Sequence, residues 1–182
     1  NNLLNPKDLK EKGLAHVPED RQRMGLITDF KANENLIFGY HHQQPFSKSS
    51  VLMESEILSY SRKVMNDYDV RPQAPDLITS NFSGGNQQKI ILSRELNKNP
   101  KILLVGQPTR GVDIGAIEFI HQRLIDMRDK GVAILLVSVE LDEVLSLSDR
   151  IVVMFDGKIV GEKVNQDVTD REIGLLMAGI SQ

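Results

Sequence analysis

Cysteine is absent from all 182 residues, which excludes disulfides and thiolate metal sites and suits a reducing compartment. No stretch approaches the roughly 18 consecutive apolar residues that a membrane-spanning helix needs. The first twelve residues are polar and charged, which is not the pattern of a signal peptide. The expectation is a cytoplasmic protein that reaches a membrane only through a partner. An excess of basic charge is missing too: 22 Lys and Arg against 25 Asp and Glu leave a net charge of -3, with no electrostatic footprint for nucleic acid. A phosphate-cradling loop of the form G-x-x-x-x-G-K-[ST] is also lacking. The single Gly-Lys pair, Gly157-Lys158, is followed by Ile159 and has Val152 where the first glycine should fall. There is no internal repeat and no low-complexity segment. What is present is ordinary: 40% hydrophobic and 26% charged residues in a length that suits one domain, or one domain with a subdomain, around a sizeable core.

Along the chain, residues 1–13 are polar, with Pro6 and Gly13 as breakers, and read as a short helix ending at Gly13 or as a linker or tail. Leu14–Val17 is a strand ended by Pro18, and Glu19–Arg23 a solvated charge run. Asn33 is placed to cap a helix over residues 33–40. His41-His42 lies in a loop without cysteine and with thin carboxylate support, so no metal site is expected there. Residues 51–68 carry Leu52, Ile57, Leu58, Val64 and Met65 at helical spacing, and residues 71–79, with Pro72 and Pro75, form a loop. Further on, Ile117, Ile120, Leu124 and Met127 mark one face of a helix capped by Asp113 and ending near Gly131. Val132–Val137 is a strand, Glu140–Leu147 a helix, and Arg150–Phe155 a strand. Asp156-Gly157 is a hairpin turn into Lys158–Gly161. Thr169 and Glu172 form a capping box for a last helix to about Ala178. Strands alternating with helices indicate an α/β fold with a mostly parallel sheet.

The stretch that organises the rest is 81–113, NFSGGNQQKIILSRELNKNPKILLVGQPTRGVD. Ser83-Gly84-Gly85 is a loop of little bulk ahead of a helical segment from Asn86, so backbone N–H groups can approach an anion at a helix N-terminus. Lys101–Val105 is an apolar run without polar alternation, as in a strand buried on both faces. The turn from Gly106 to Asp113 then lies at that strand's carboxyl end, where ligands bind in open α/β sheets. A lone serine-diglycine is most often an ordinary tight turn; the full run is far more specific.

FSGGNQQK followed by SREL, and then ILLVGQPTRGVD, resembles the signature region, degenerate Walker B strand and D-loop of the ATP-binding-cassette family. The match is to the second ATPase half of tandem-cassette subunits of simple-sugar and nucleoside importers, and GQPTRGVD-IGAIEFIH resembles the nucleoside branch. The resemblance covers roughly residues 14–165. It implies a P-loop NTPase core of the RecA-like kind with an inserted helical subdomain, and places the missing phosphate loop ahead of residue 14. The implied layout is a tail over 1–13 and a partial cassette over 14–182. Within the latter lie a helical subdomain (30–82) that docks on the transmembrane subunit, a RecA-like portion (83–165) and a C-terminal helix (166–182).

The resemblance also assigns positions. Gly106 and Gln107 stand where the family has a magnesium-supporting aspartate and a water-polarising glutamate. Val139 stands at the switch histidine, and Glu19 stands at the Q-loop glutamine, whose location but not role carries over. Glycine has no side-chain oxygen and an amide does not accept a proton as a carboxylate does, so no catalytic residue is expected intact in this half, and the chain alone is expected to be inactive. Ser83, Gly84 and Gly85 are intact. Paired cassettes in the family hold ATP between one partner's Walker motifs and the other's signature. The resemblance therefore implies that Ser83, Gly84 and Gly85, with Gln87 at the ribose or orienting the loop and Asp113 crossing to the opposite site, cap ATP and Mg2+ held mainly by the other ATPase half of the same polypeptide. Permease subunits and, indirectly, a substrate-binding protein are the implied partners, at the inner face of the cell membrane. A non-catalytic nucleotide-binding or regulatory module is the alternative.

Overall fold

In a computed structural model describing residues 5–180, the alternating pattern resolves into two compact units, one ending at Val137 and the other beginning at Ser138. Residues 1–4 and 181–182, the extremes of the expected tail and C-terminal helix stretch, lie outside the described residues. In the larger unit Asn5 caps α1 (Pro6–Glu11), its side-chain oxygen accepting from the Asp8 N–H at 2.9 Å. Pro6 occupies the start of the helix, where a missing N–H costs nothing. Gly13 follows at φ +93°, a left-handed stop that glycine adopts freely. The two breakers therefore bound a helix.

β1 (Leu14–Val17) comes next, and the charge run after it winds into a wide helical turn, Arg21–Gly25. Asp20 caps this turn by accepting from the N–H groups of Gln22 and Arg23. α2 is Ala32–Ile37, and its cap is Lys31 rather than Asn33. Glu34 reaches back to accept from the Lys31 N–H at 2.7 Å, which satisfies the first donor and leaves Asn33 inside the helix, buried. β2 (Ser47–Lys48) and β3 (Val51–Leu52) form a small antiparallel hairpin turned by Ser49 and Ser50 at positive φ. Leu52 is thus an exposed hairpin residue, and α3 begins only at Glu54, running to Asp67 with Ile57, Val64 and Met65 buried.

α4 spans Gly84–Leu96, starting two residues earlier than the composition implied because Ser83 caps it and both glycines enter its first turn. β4 (Ile102–Gly106), α5 (Ile114–Asp129) and β5 (Ala133–Val137) complete the unit. On α5, Ile120, Leu124 and Met127 are buried as the spacing predicts, joined by Ala116. The sheet is parallel in the order β1-β4-β5, with Val17, Val105 and Leu136 in register. Successive residues of a strand point to opposite faces. Ala15, Val17, Leu103 and Val105 are at most 2% exposed, whereas Ile102, Leu135 and Val137 are 48%, 59% and 59% exposed. The apolar run over 101–105 is therefore covered on one face, not both.

The smaller unit holds α6 (Leu141–Leu147), β6 (Arg150–Phe155), β7 (Lys158–Val164) and α7 (Asp170–Met177). Asp156 and Gly157, at φ +47° and +72°, turn β6 back onto β7 in an antiparallel pair. β7 outruns the predicted Gly161 because its ladder to β6 continues to Val164. Thr169 and Glu172 form the predicted capping box, with the Thr169 N–H donating to Glu172 Oε2 at 2.9 Å. Hydrogen bonds from Thr169, its backbone N–H first, hold the Glu172 carboxyl below its usual range. Ile151, Val153 and Ile173 make the core of this unit, with Leu141, Val144 and Leu176 around them.

Candidate functional site

The element that positions the central stretch is α4. Ten of its thirteen residues are buried, although several are polar, so each buried polar group needs a partner. Gln87 is 3% exposed, and its Nε2 donates to the Thr79 carbonyl at 3.1 Å. The side chain thus points into the protein, onto the turn just before Ser83. Arg94 and Glu95 are 4% and 1% exposed and pair at 2.8 Å. Arg94 also donates to the carbonyls of Asn35 and Gly25, and Lys10 donates to Glu95 at 2.9 Å. Asn35, fully buried, donates to the Ile27 carbonyl and to Thr79 Oγ1 and accepts from the Ile27 N–H, each at 2.9 Å. These bonds tie α1, α2 and the Arg21–Gly25 turn to one helix, whose N-terminus presents Ser83.

Ser83 is exposed, Gly84 half-buried and Gly85 buried. Ser83 Oγ accepts from Asn86 Nδ2 at 2.9 Å and from the Asn86 N–H at 3.4 Å, which leaves the hydroxyl proton for another acceptor. The first N–H groups of a helix have no intrahelical partner and carry the positive end of its dipole. This edge therefore has the donor set for an anionic phosphate oxygen. Both glycines stand in close approach to their neighbours. A Cβ on Gly84 would stand 2.6 Å from Arg21 Nη2 and 3.0 Å from the Gly111 carbonyl oxygen. A Cβ on Gly85 would stand 3.0 Å from Ala116 Cβ and from Asp113 Oδ2.

Asp113 caps α5, Oδ1 accepting from the Ala116 N–H at 2.9 Å. Asp113→Ala should lower stability by about 1 kcal/mol, read as a fall in the urea midpoint at unchanged slope; no shift would show that the cap contributes nothing. A groove of about 280 Å3 lies beside this edge, lined by Gly85, Asn86, Lys89, Asp113, Ala116 and Phe119 among others. Lys89 Nζ is engaged there with the Asp69 carbonyl and carboxylate and lies 4.8 Å from the Phe119 ring centre. Hydrogen bonds from Arg71 and Lys89 hold the Asp69 carboxyl below its usual range.

The strand-end turn closes the other side. Gly106 ends β4 with its Cα against the Glu19 backbone, where a Cβ would meet the Glu19 nitrogen at 3.2 Å. Gln107 takes a left-handed φ of +45°, and its N–H donates to the Val137 carbonyl at 2.8 Å. Glu19 Oε1 accepts from Arg110 Nη1 at 2.7 Å. Arg21 donates to the carbonyls of Arg110 at 2.6 Å and Gly111 at 3.2 Å. Ser83, Gly84, Gly85, Asp113, Glu19 and the 106–111 turn are thus gathered around one place in the larger unit. Val139 belongs to the smaller unit and is 65% exposed.

Arg21 escapes sequence reasoning because a charge run in a loop reads as solvated whatever its tertiary partners, and Arg110 because a lone arginine in a polar turn reads the same way. Arg94 and Glu95 escape it because a polar pair on a helix ordinarily marks the wet face. Neither Gly106 nor Gln107 offers a carboxylate to a metal. Among the described residues no group of three His, Cys, Asp or Glu side chains converges, and His41 and His42 meet only edge to face at 5.7 Å. No described helix is long and apolar enough to cross a membrane.

No family model matches the chain. Among curated proteins it is 46% identical over 181 residues to the guanosine import ATP-binding protein of Bacillus subtilis (strain 168), covering 98% of this chain and 35% of that protein. It is 46% identical over 174 residues to the nucleoside import ATP-binding protein of Lactococcus lactis subsp. cremoris, covering 96% of this chain and 34% of that protein. A ribose import ATP-binding protein of Oceanobacillus iheyensis is 34% identical over 171 residues, covering 94% of this chain and 34% of that protein. The chain thus spans about a third of the length of these relatives, 34–35%. Among solved structures, a nucleotide-free ATP-binding cassette of an ABC transporter aligns with a TM-score of 0.70 at 24% identity, covering 96% of this chain and 68% of that one. A dimeric post-hydrolysis cassette bound to ADP and Pi aligns at 0.69 and 23% identity, covering 92% and 70%. These two likenesses concern the fold.

Proposed function

This chain belongs to the ATP-binding-cassette family, and from that premise we propose that it serves as part of the energy-coupling subunit of an importer, on the cytoplasmic face of the membrane. In this reading ATP hydrolysis drives transport, a second ATPase half of the same polypeptide holds ATP and Mg2+, and permease subunits receive the motion. A substrate-binding protein would take part only indirectly. Nucleosides are the favoured cargo: the guanosine and nucleoside import relatives are 46% identical to the chain, the ribose import relative 34%.

The observation that carries the reading is a contrast within one unit. The Ser83-Gly84 edge opens a capped helix whose first N–H groups lack intrahelical partners, while Gly106 and Gln107, at the end of β4, lack the carboxylates that hydrolysis needs. Phosphoryl transfer depends on positioned charge and oriented donors. A half with donors and no carboxylates fits the capping of nucleotide held by a partner. Ser83 would donate its free hydroxyl proton to the terminal phosphate, with the Gly84 N–H beside it. Gln87, held on Thr79, would orient the loop and leave the ribose to other groups. Asp113, at the α5 cap, would lie at the crossing toward the opposite site.

The test is steady-state ATP turnover of the complete two-cassette subunit with its permease, comparing the unaltered protein with Ser83→Arg. Filling the phosphate's place should lower turnover at least tenfold, the loss of about 1.4 kcal/mol or more of transition-state stabilisation. Undiminished turnover would instead favour the second reading, a non-catalytic regulatory module, which the same missing carboxylates support.

A further inference from the structure

We propose that Arg21 is a positioning residue for nucleotide capping, its guanidinium setting the spacing between the Ser83-Gly84 edge and the 106–113 turn. The proposal rests on the capping role given above to Ser83. The guanidinium occupies a slot that exists because Gly84 has no side chain, with Gly111 in ordinary contact beside it. A Cβ on Gly84 would lie 2.6 Å from Nη2, and one on Gly111 would lie 3.5 Å from it. From that slot Nη1 and Nη2 donate to two successive carbonyls, those of Arg110 and Gly111. The turn they hold contains two left-handed residues, Gln107 at +45° and Gly111 at +65°, so its path is not set by regular secondary structure. A planar fork fixes both carbonyls at once, which a lysine ammonium on a flexible stem does not.

The bond is answered in the opposite direction. Arg110 Nη1 donates to Glu19 Oε1 at 2.7 Å, so residues 19–21 and 110–111 are joined by two arginines that cross. Asp20, between Glu19 and Arg21, accepts from the N–H groups of Gln22 and Arg23 and launches the Arg21 side chain from a capped turn. Among the described residues, Arg21 Nε is buried without a hydrogen-bond partner. A buried donor atom is ordinarily satisfied, so an orphan beside a candidate site asks for an explanation, which the positioning role supplies. Displacing the guanidinium would release the turn and open space under Gly84, moving the capping donors while the α4 core, anchored by Arg94 and Glu95, stays in place.

The experiment is ATP-dependent turnover of the complete subunit with its permease for Arg21→Met, Arg21→Lys, Arg110→Met and Ser83→Arg, each with a thermal midpoint. Arg21→Met should raise the ATP KM about tenfold, as expected for hydrogen bonds from a charged group, with kcat changed less than about twofold. Arg21→Lys, keeping charge but not the fork, should retain most of that rise. Arg110→Met, altering the exposed side of the crossing, should raise KM by a smaller factor, and it decides the matter if Arg21→Met does not fold. Unchanged KM in these variants, while Ser83→Arg abolishes turnover, would overturn the positioning role and leave capping standing. A fall in kcat and thermal midpoint without a KM change would overturn it as well, as the mark of a structural role. If Ser83→Arg also turns over normally, capping fails and this proposal with it.

Discussion

Glu95→Ala should lower the stability of the 182-residue chain by about 3–5 kcal/mol, the loss that follows when one partner of a buried ion pair is removed. Glu95 is 1% exposed and accepts from Arg94 Nε at 2.8 Å and from Lys10 Nζ at 2.9 Å. Deleting the carboxylate leaves the Arg94 charge, itself 4% exposed, with only carbonyl acceptors. It also frees Lys10, the side chain that fastens α1 to α4. Urea denaturation should show the loss as a lower midpoint at unchanged slope; a change under 1 kcal/mol would mean that the network is not a unit.

The same site gives a pH signature. Burial pushes the Glu95 carboxyl up, but the charges of Arg94 and Lys10 and their hydrogen bonds outweigh it, so the group sits below its ordinary value of 4.5. A depressed folded-state pKa contributes stability that is fully present above the unfolded value and is lost as pH falls through the folded one. The advantage of the unaltered chain over Glu95→Ala should therefore hold at neutral pH and shrink progressively below about pH 4.5. An advantage independent of pH down to strong acid would contradict the assignment.

Leu103→Ala should cost about 2–5 kcal/mol, whereas Leu135→Ala, one strand away, should change stability by no more than about 0.5 kcal/mol. The two leucines belong to neighbouring parallel strands with similar apolar sequences, ILLVG in β4 and AILLV in β5. Leu103 pairs with Ile134 and Leu135 with Leu104, so the register sets Leu103 and Leu135 on opposite faces. Leu103 is 0% exposed and Leu135 is 59% exposed. Truncating the first leaves a cavity in the centre of the sheet, while truncating the second removes surface already in water. Urea midpoints of the two variants decide it, and equal losses would mean that the 135 face is covered in solution.

Much of this was legible in advance because its causes are local. Thr169 with Glu172, Asp113 ahead of Ile114, Asp156 with Gly157, and the apolar spacing of α5 each act within about four residues, through backbone donors and dihedral preferences that travel with the sequence. The serine-diglycine helix start belongs to the same class, missed only by two residues because glycine has poor intrinsic helix propensity and Ser83 capping overrides it. Composition likewise bounded the chain as an ordinary globular domain without disulfides or an excess of basic charge, and the alternation of strands with helices indicated the α/β class.

What the tertiary structure alone decided involves partners far apart in the chain. Lys10 meets Glu95 and Arg21 meets Gly111 across 85 and 90 positions, so no local pattern distinguishes these from solvated side chains. Whether an apolar strand is covered on one face or two depends on which helices lie against it, and the runs of β4 and β5 read the same either way. The donor edge at Ser83 could be seen in the sequence by itself. The arrangement of arginines that holds the edge against the 106–113 turn could not, because its geometry exists only once the chain has closed on itself.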